Sequence, residues 1–282
     1  MPLDMLNIAP ENNLRLPDAF TAKYGPTQLL SRFVLAADRA VRRRGITLRV
    51  RHDFEELLDL SKFYAARNLW YPLCEAINPR CVELTPQNAF WIAGENEHGE
   101  VVVTNAVRVL DWTGTNLGEQ ASGMWYGPNS AERCILTADA APLISGVVAW
   151  GAAAWVRQDY RGRQLSYLTG RTHKAYACAR WPIDWSFCYI SVSNVSRGLA
   201  STWGHKHLSY SINHPGSLQG EMAVAYTAAD DFYADIADFM SSGAIIDETD
   251  VDPESIVLPS GLEHIVTKTS PEGVFHGSIS RS

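Results

Sequence analysis

The sequence has no apolar run of the roughly 18–20 residues that a membrane-spanning helix needs, and no internal repeat. It is short of cysteine. Cys74, Cys81, Cys134, Cys178 and Cys188 are the only five in 282 residues, an odd number with no C-x-x-C pair. That argues against a disulfide framework or a zinc site and for reduced thiols. Lysine is scarce too, 5 against 19 arginines. The opening, MPLDMLNIAPENN, has neither a basic start nor an apolar centre. It lacks the pattern of a signal peptide, and a cytoplasmic protein is expected. With 46% hydrophobic and 20% charged residues, the composition is that of a globular chain, neither disordered nor a coiled coil.

The net charge of −7 is unevenly spread. From Asp230 onward eleven acidic residues face only Lys268 and Arg281, a net of −9 that leaves +2 for the rest. Arg32, Arg39, Arg42, Arg43, Arg44, Arg49 and Arg51 crowd one early stretch. Without a nucleic-acid motif to accompany it, such a cluster reads as a solvated helix face. Neither nucleic acid nor a membrane is expected as a partner.

Residues 1–27 carry four prolines and read as an irregular arm. Apolar residues at helical spacing from Leu29 to Val41 predict a helix over 27–44, stopped at Gly45. Residues 46–50 alternate as a strand. Asp53, followed by Glu55 and Glu56, starts a helix over 54–67. Residues 88–93 and 101–110, joined by Glu95-Asn-Glu-His-Gly99, form a hairpin. Residues 113–129, rich in Gly, Asn and Ser, read as a long loop. Then follow an apolar strand over 147–156, a helix over 164–180, a strand over 187–192, a short helix over 195–203, strands over 208–212 and 222–226, and a helix over 230–240. The order predicts an α/β fold with a mixed sheet. The expected organisation is an N-terminal arm and helix (1–45), a central α/β domain (46–242) and an acidic C-terminal tail (243–282).

One segment carries a chemical signal. A buried strand ends in Asp159-Tyr160-Arg161-Gly162-Arg163-Gln164-Leu165-Ser166, where a helix begins at once. The first N–H groups of a helix have no internal partners, and its dipole favours negative charge there. Gly162 lets the backbone approach a ligand, and Arg161 and Arg163 add charge-assisted bonds to phosphate oxygens. A pyrophosphate suits such a loop. The alternative is an ordinary turn with two solvated arginines.

That strand, loop and helix resemble the signature of the GNAT superfamily of acyl-CoA-dependent N-acyltransferases, whose loop reads aromatic-Arg-Gly-basic-Gly-aliphatic. Tyr189-Ile-Ser-Val-Ser-Asn194 is similar to the family's fifth strand and the Asn that opens the next helix. Trp203-Gly204-His205 stands where a Gly-Phe pair closes it. The resemblance covers residues 46–228 in element order. It implies a mixed, mostly antiparallel central sheet flanked by helices, and transfer of an acetyl or other acyl group from acyl-CoA to an amine, on a small molecule or a protein. Implied cofactor contacts are Ala154, Trp155, Val156, Tyr160, Arg161, Gly162, Arg163, Gln164, Leu165, Ser166 and Asn194, with no metal. A homodimer is compatible with it.

The sequence departs from the pattern at two site positions. Gln164 replaces the loop's second small residue; its side chain is expected to run along the helix surface, so that Gln164→Gly costs about 1 kcal/mol as Gly in a helix does. Ser201 stands where the family often has the Tyr that protonates the departing thiolate. For proton transfer the candidates are Ser201, Tyr189 and His205, with Glu132 and Asp139 also conceivable as bases; each has a structural role as its simpler reading. The departures keep open a module that binds acyl-CoA, or another ligand, without transferring anything. His205, His207 and His214 lack companions at metal-ligand spacing. Residues 275–279 lack the flanking glycine of a nucleophile elbow. Trp125 and Tyr126 are candidates for an acceptor pocket wall.

Overall fold

The computed structural model describes residues 14–126, 135–136, 139–213 and 222–242. The elements begin with β1 (Leu14–Arg15), α1 (Leu16–Ala19), α2 (Thr27–Arg43), β2 (Thr47–Arg51) and α3 (Phe54–Ala65). The hairpin β3 (Ala89–Glu95) and β4 (Val101–Trp112) follows, then α4 (Leu117–Tyr126), β5 (Ile135–Leu136) and β6 (Gly146–Val156). The last group is α5 (Leu165–Arg180), β7 (Trp185–Ser191), α6 (Val192–Ser196), α7 (Leu199–Thr202), β8 (His207–Asn213), β9 (Met222–Ala228) and α8 (Ala229–Ser241).

The strands form one sheet in the order β1-β2-β3-β4-β6-β7-β9-β8-β5. Every neighbouring pair is antiparallel except β6 and β7. That parallel pair is joined through α5, the crossover parallel strands require. The sheet is therefore mixed and mostly antiparallel, as the resemblance implied.

Alternation along β3 sorts the two faces. Phe90 and Ile92 join Leu30, Phe33, Leu168, Tyr176 and Phe232 on the side of α2, α5 and α8. Ala89, Trp91 and Ala93 join Phe54, Leu57, Leu117 and Met124 on the side of α3 and α4. A strand buried on both faces reads as a near-continuous apolar run, which is how Ala89-Phe-Trp-Ile-Ala93 looks. The Asp53 carboxylate accepts from the N–H groups of Glu55 and Glu56 at 3.0 and 3.3 Å, so it caps α3 as its sequence predicts.

Two stretches differ from their sequence reading. The stretch read as a loop contains α4; its buried residues Leu117, Ala121 and Met124 recur at helical spacing, obscured by the small polar residues between them. The single helix expected over 195–203 is two short ones, broken at Gly198 with φ +74°. Ser191, not Asn194, opens the first of them: its Oγ accepts from the Asn194 N–H at 3.4 Å. The acidic tail and residues 275–279 lie outside the described residues, as do Cys134 and His214. Among the described residues, Cys74, Cys81, Cys178 and Cys188 are free thiols, and no helix is long and apolar enough to cross a membrane.

Candidate active site

The parallel strands stop pairing early. β6 meets β7 only from Val148 to Gly151, against Trp185 to Cys188. Beyond that rung β6 stays with β4 as far as Val156, and β7 stays with β9 as far as Ser191. Two strands that continue without a shared ladder leave backbone donors and acceptors facing a gap, and buried or half-buried groups of that kind call for a ligand or water.

A bulge marks the start of the gap. Ala106 pairs with Ala152, but Thr104 pairs with Trp155, so β6 carries one extra residue. Ala153 takes φ +50°, unusual for a residue with a Cβ, and its carbonyl accepts from Thr104 Oγ1 at 2.6 Å. The extra residue inverts the alternation of the strand. Val148, Trp150 and Ala152 face the α3–α4 side, and past the bulge Trp155 also turns there. Its ring lies 5.1 Å from Trp70 and 4.4 Å from Tyr64, and its Nε1 donates to Leu69 O at 3.1 Å. The Trp155 side chain is thus a wall holding residues 64–70 beside the fork. Gly151 to Ala154 are small and accessible.

β6 passes through one 3-10 turn (Gln158–Tyr160) into the loop that opens α5. Gly162 has φ +81°, and a Cβ there would meet nothing within 4 Å, so the loop is open on that side and glycine is needed for its conformation. Gln164, just before α5, is also left-handed at φ +55° and makes no side-chain cap. The N–H groups from Gly162 to Ser166 have no acceptor among the described residues. These are the orphan donors expected at a helix start.

The side chains around this loop are ordered by contacts that sequence alone does not reveal. Tyr160 lies between two guanidinium groups, Arg157 at 5.0 Å and Arg163 at 4.4 Å from its ring centre, and its hydroxyl accepts from Asn96 Nδ2 at 3.1 Å. Arg157 bridges Asp159 at 2.8 Å and Glu100 at 3.0 Å. Arg161 Nε donates to Val156 O at 3.2 Å. Arg44, at the end of α2, donates from Nε to Arg163 O at 2.9 Å and from Nη2 to Gln164 Oε1 at 3.2 Å. One member of the early arginine cluster therefore holds the loop from outside. The Gln164 side chain is directed at Arg44.

The expected proton-transfer residues are not brought together. Tyr189 faces α4, its hydroxyl 4.0 Å from Met124 Sδ, on the side of Trp150. His205 lies against the opposite face with its Nε2 3.4 Å from Cys188 Sγ. Burial holds its imidazole neutral, well below the ordinary histidine range, with the Lys174 charge adding to the effect. Ser201 is exposed on α7 and donates to Gly198 O at 3.0 Å. Asp139 sits exposed in a turn, and Glu132 lies outside the described residues, as do the side chains of Trp125 and Tyr126. Asn194, half-buried in α6, makes no side-chain hydrogen bond among the described residues. Those residues contain no group of three metal-ligating side chains.

No protein family's profile and no curated protein matches the chain. Solved structures that are similar include Arabidopsis thaliana NAA60 in complex with acetyl-CoA, 11% identical with a TM-score of 0.42, covering 66% of this chain and 99% of that one. The aminoglycoside acetyltransferase AAC(6')-Ib in complex with coenzyme A and kanamycin is 13% identical with a TM-score of 0.40, over 67% and 98% of the two chains. The GNAT domain of S. lividans PAT is 17% identical with a TM-score of 0.35, over 64% and 90%. By its own strand order, its fork and the loop that opens α5, the chain resembles the GNAT superfamily in a divergent form.

Proposed function

We propose that this protein transfers an acyl group from acyl-CoA to an amine. The observation that carries the reading is that fork and loop are consecutive along one stretch, from Gly151 through Gln164 into α5. On the side turned away from β4, where β7 no longer pairs, the main chain at Ala154, Trp155 and Val156 suits the amide-bearing arm of the co-substrate. The free N–H groups from Gly162 to Ser166, with Arg161 and Arg163, suit its pyrophosphate, and the unbonded Asn194 carboxamide stands on the β7 side. A thioester carbonyl held at the bulge gains from backbone N–H groups as its oxygen becomes negative. Attack by an amine then depends chiefly on holding it in line, with proton removal a smaller contribution.

A second reading, acyl-CoA binding without transfer, is supported by Ser201. Its hydroxyl is engaged with its own helix turn rather than offered to a leaving group. Incubation with acetyl-CoA and a panel of amines, following released thiol, separates the two. Turnover supports transfer; CoA binding without turnover supports the binding module; neither binding nor turnover removes both.

A further inference from the structure

Arg108 and Trp150 are register partners on β4 and β6, one rung before the fork. Directly opposed residues on one face of a sheet have Cβ atoms about 4.5–5.5 Å apart, and this face is the one toward α3 and α4. Arg108 donates from Nη1 to Ala76 O at 3.0 Å. The other edge of the guanidinium, Nε with Nη2, has no acceptor among the described residues, and Nε is fully buried. No Asp or Glu among those residues pairs with it. Beside it the Trp150 indole is 3% exposed, and its Nε1–H is also buried without an acceptor.

Two adjacent buried donors without acceptors are costly. Each unsatisfied buried group costs about 1–3 kcal/mol, more for one on a charged side chain. Burial pushes the Arg108 guanidinium below its ordinary range, as expected for a charge lacking an anion. The free Nε–Nη2 edge is the planar fork that matches a carboxylate with two parallel bonds.

We infer that Arg108 and Trp150 form a carboxylate subsite, so that the acceptor is an amine that also carries a carboxylate, an amino acid or a close analogue. This rests on the proposed acyl transfer at the fork. With a rise of about 3.3 Å per residue, Trp150 stands about 7 Å along β6 from Ala152, where the gap opens. The carboxylate and the attacking amine then belong to one small molecule. Tyr189, whose ring centre is 6.5 Å from that of Trp150, and Met124, whose Sδ is 4.0 Å from the Tyr189 hydroxyl, are the apolar neighbours that would meet its side chain.

The test is equilibrium binding, so that it stands apart from turnover. N-acetylglycine, N-acetylleucine and N-acetylphenylalanine are titrated by calorimetry against the CoA-saturated protein, each beside its neutral amide. At least one acid is expected to bind about tenfold or more tighter than its amide, the ratio for a hydrogen bond to a charged group. Arg108→Gln should remove that preference. Trp150→Phe, which keeps an aromatic ring and removes the donor, should reduce it several-fold. Acids and amides binding alike, neither binding, or a preference that survives in both variants would overturn the subsite. Thiol release is read separately. Its absence beside an Arg108-dependent acid preference counts against acyl transfer and leaves the subsite standing.

Discussion

The Thr104 hydroxyl donates to the carbonyl of Ala153 at 2.6 Å and so pins the bulge at which β6 leaves β7. Thr104 is completely buried, and Ala153 occupies a backbone region that its side chain disfavours. Thr104→Val keeps the shape and deletes the donor. It should lower stability by about 1–3 kcal/mol, the cost of a buried unsatisfied group, and weaken CoA binding with it. Thr104→Ser should preserve both. Urea denaturation and titration calorimetry check this; a Val variant indistinguishable from the parent would show that the bulge holds without its pin.

Arg161 and Arg163 flank the open glycine at the start of α5. Arg161→Ala and Arg163→Ala should each weaken CoA binding by about 1–3 kcal/mol while leaving a pantetheine thioester, which has no pyrophosphate, nearly unaffected. Calorimetry with the two ligands checks it. Equal losses for both ligands, or none for either, would place the phosphates elsewhere.

Gln164 corrects an expectation. As an ordinary helix residue its replacement by Gly should cost stability, yet it stands before the helix at φ +55°, where a Cβ costs about 1–2 kcal/mol. Both Gln164→Gly and Gln164→Ala lose the bond from Arg44, and only Gly relieves the backbone. The Gly variant should therefore be more stable than the Ala variant by about 1 kcal/mol. CoA affinity should be unchanged in both, because the side chain aims at Arg44. Thermal unfolding of the pair decides it, and the reverse order contradicts the argument.

Lys174 on α5 is fully buried, its Nζ has no hydrogen-bond partner among the described residues, and it lies 5.0 Å from the centre of the Phe232 ring. Burial is the main cause that lowers its pKa to about 7; Cys188, Asp235 and Cys178 pull upward and Arg171 downward within that balance. The unfolded chain, with lysine near 10.5, binds the proton that the folded chain sheds. Stability should therefore rise with pH above about 7, by up to about 1.4 kcal/mol per unit. The gain ends near pH 9, where the unfolded thiols begin to ionise while burial holds Cys178 and Cys188 up to about 12. At acid pH, His173, lowered to about 3 by burial, makes stability fall as the pH drops below about 6.5. Lys174→Met should flatten the curve between pH 7 and 9 and leave the acid limb in place. Urea midpoints across the range check this, and an unchanged slope in the variant would contradict it.

Legibility in the sequence followed the range of the interactions. α2 and the β3–β4 hairpin are written in local periodicity, and the cap at Asp53 in neighbouring residues. The glycine-arginine loop before α5 is legible because its glycine, arginines and helix start are contiguous. Arg44 was not assigned to the loop, because the 119 residues separating it from Arg163 are closed only by packing α2 on α5. The bulge at Ala153 was hidden since alanine carries no signal for a left-handed backbone. Arg108 and Trp150 meet only through the register of β4 on β6, which a single sequence does not state. The helix α4 was obscured by composition: glycine and polar residues outweighed three buried positions at helical spacing.

In the proposed function one continuous stretch, from the bulge to the first turn of α5, receives acyl-CoA. Amide hydrogen exchange with and without acetyl-CoA tests it most directly, since it reads the backbone groups themselves. Slowed exchange is expected in peptides covering residues 152–156 and 162–166, with the hairpin peptides covering 89–95 unchanged. Unaltered exchange across 152–166 at saturating acetyl-CoA, or protection confined to another part of the sheet, would contradict it.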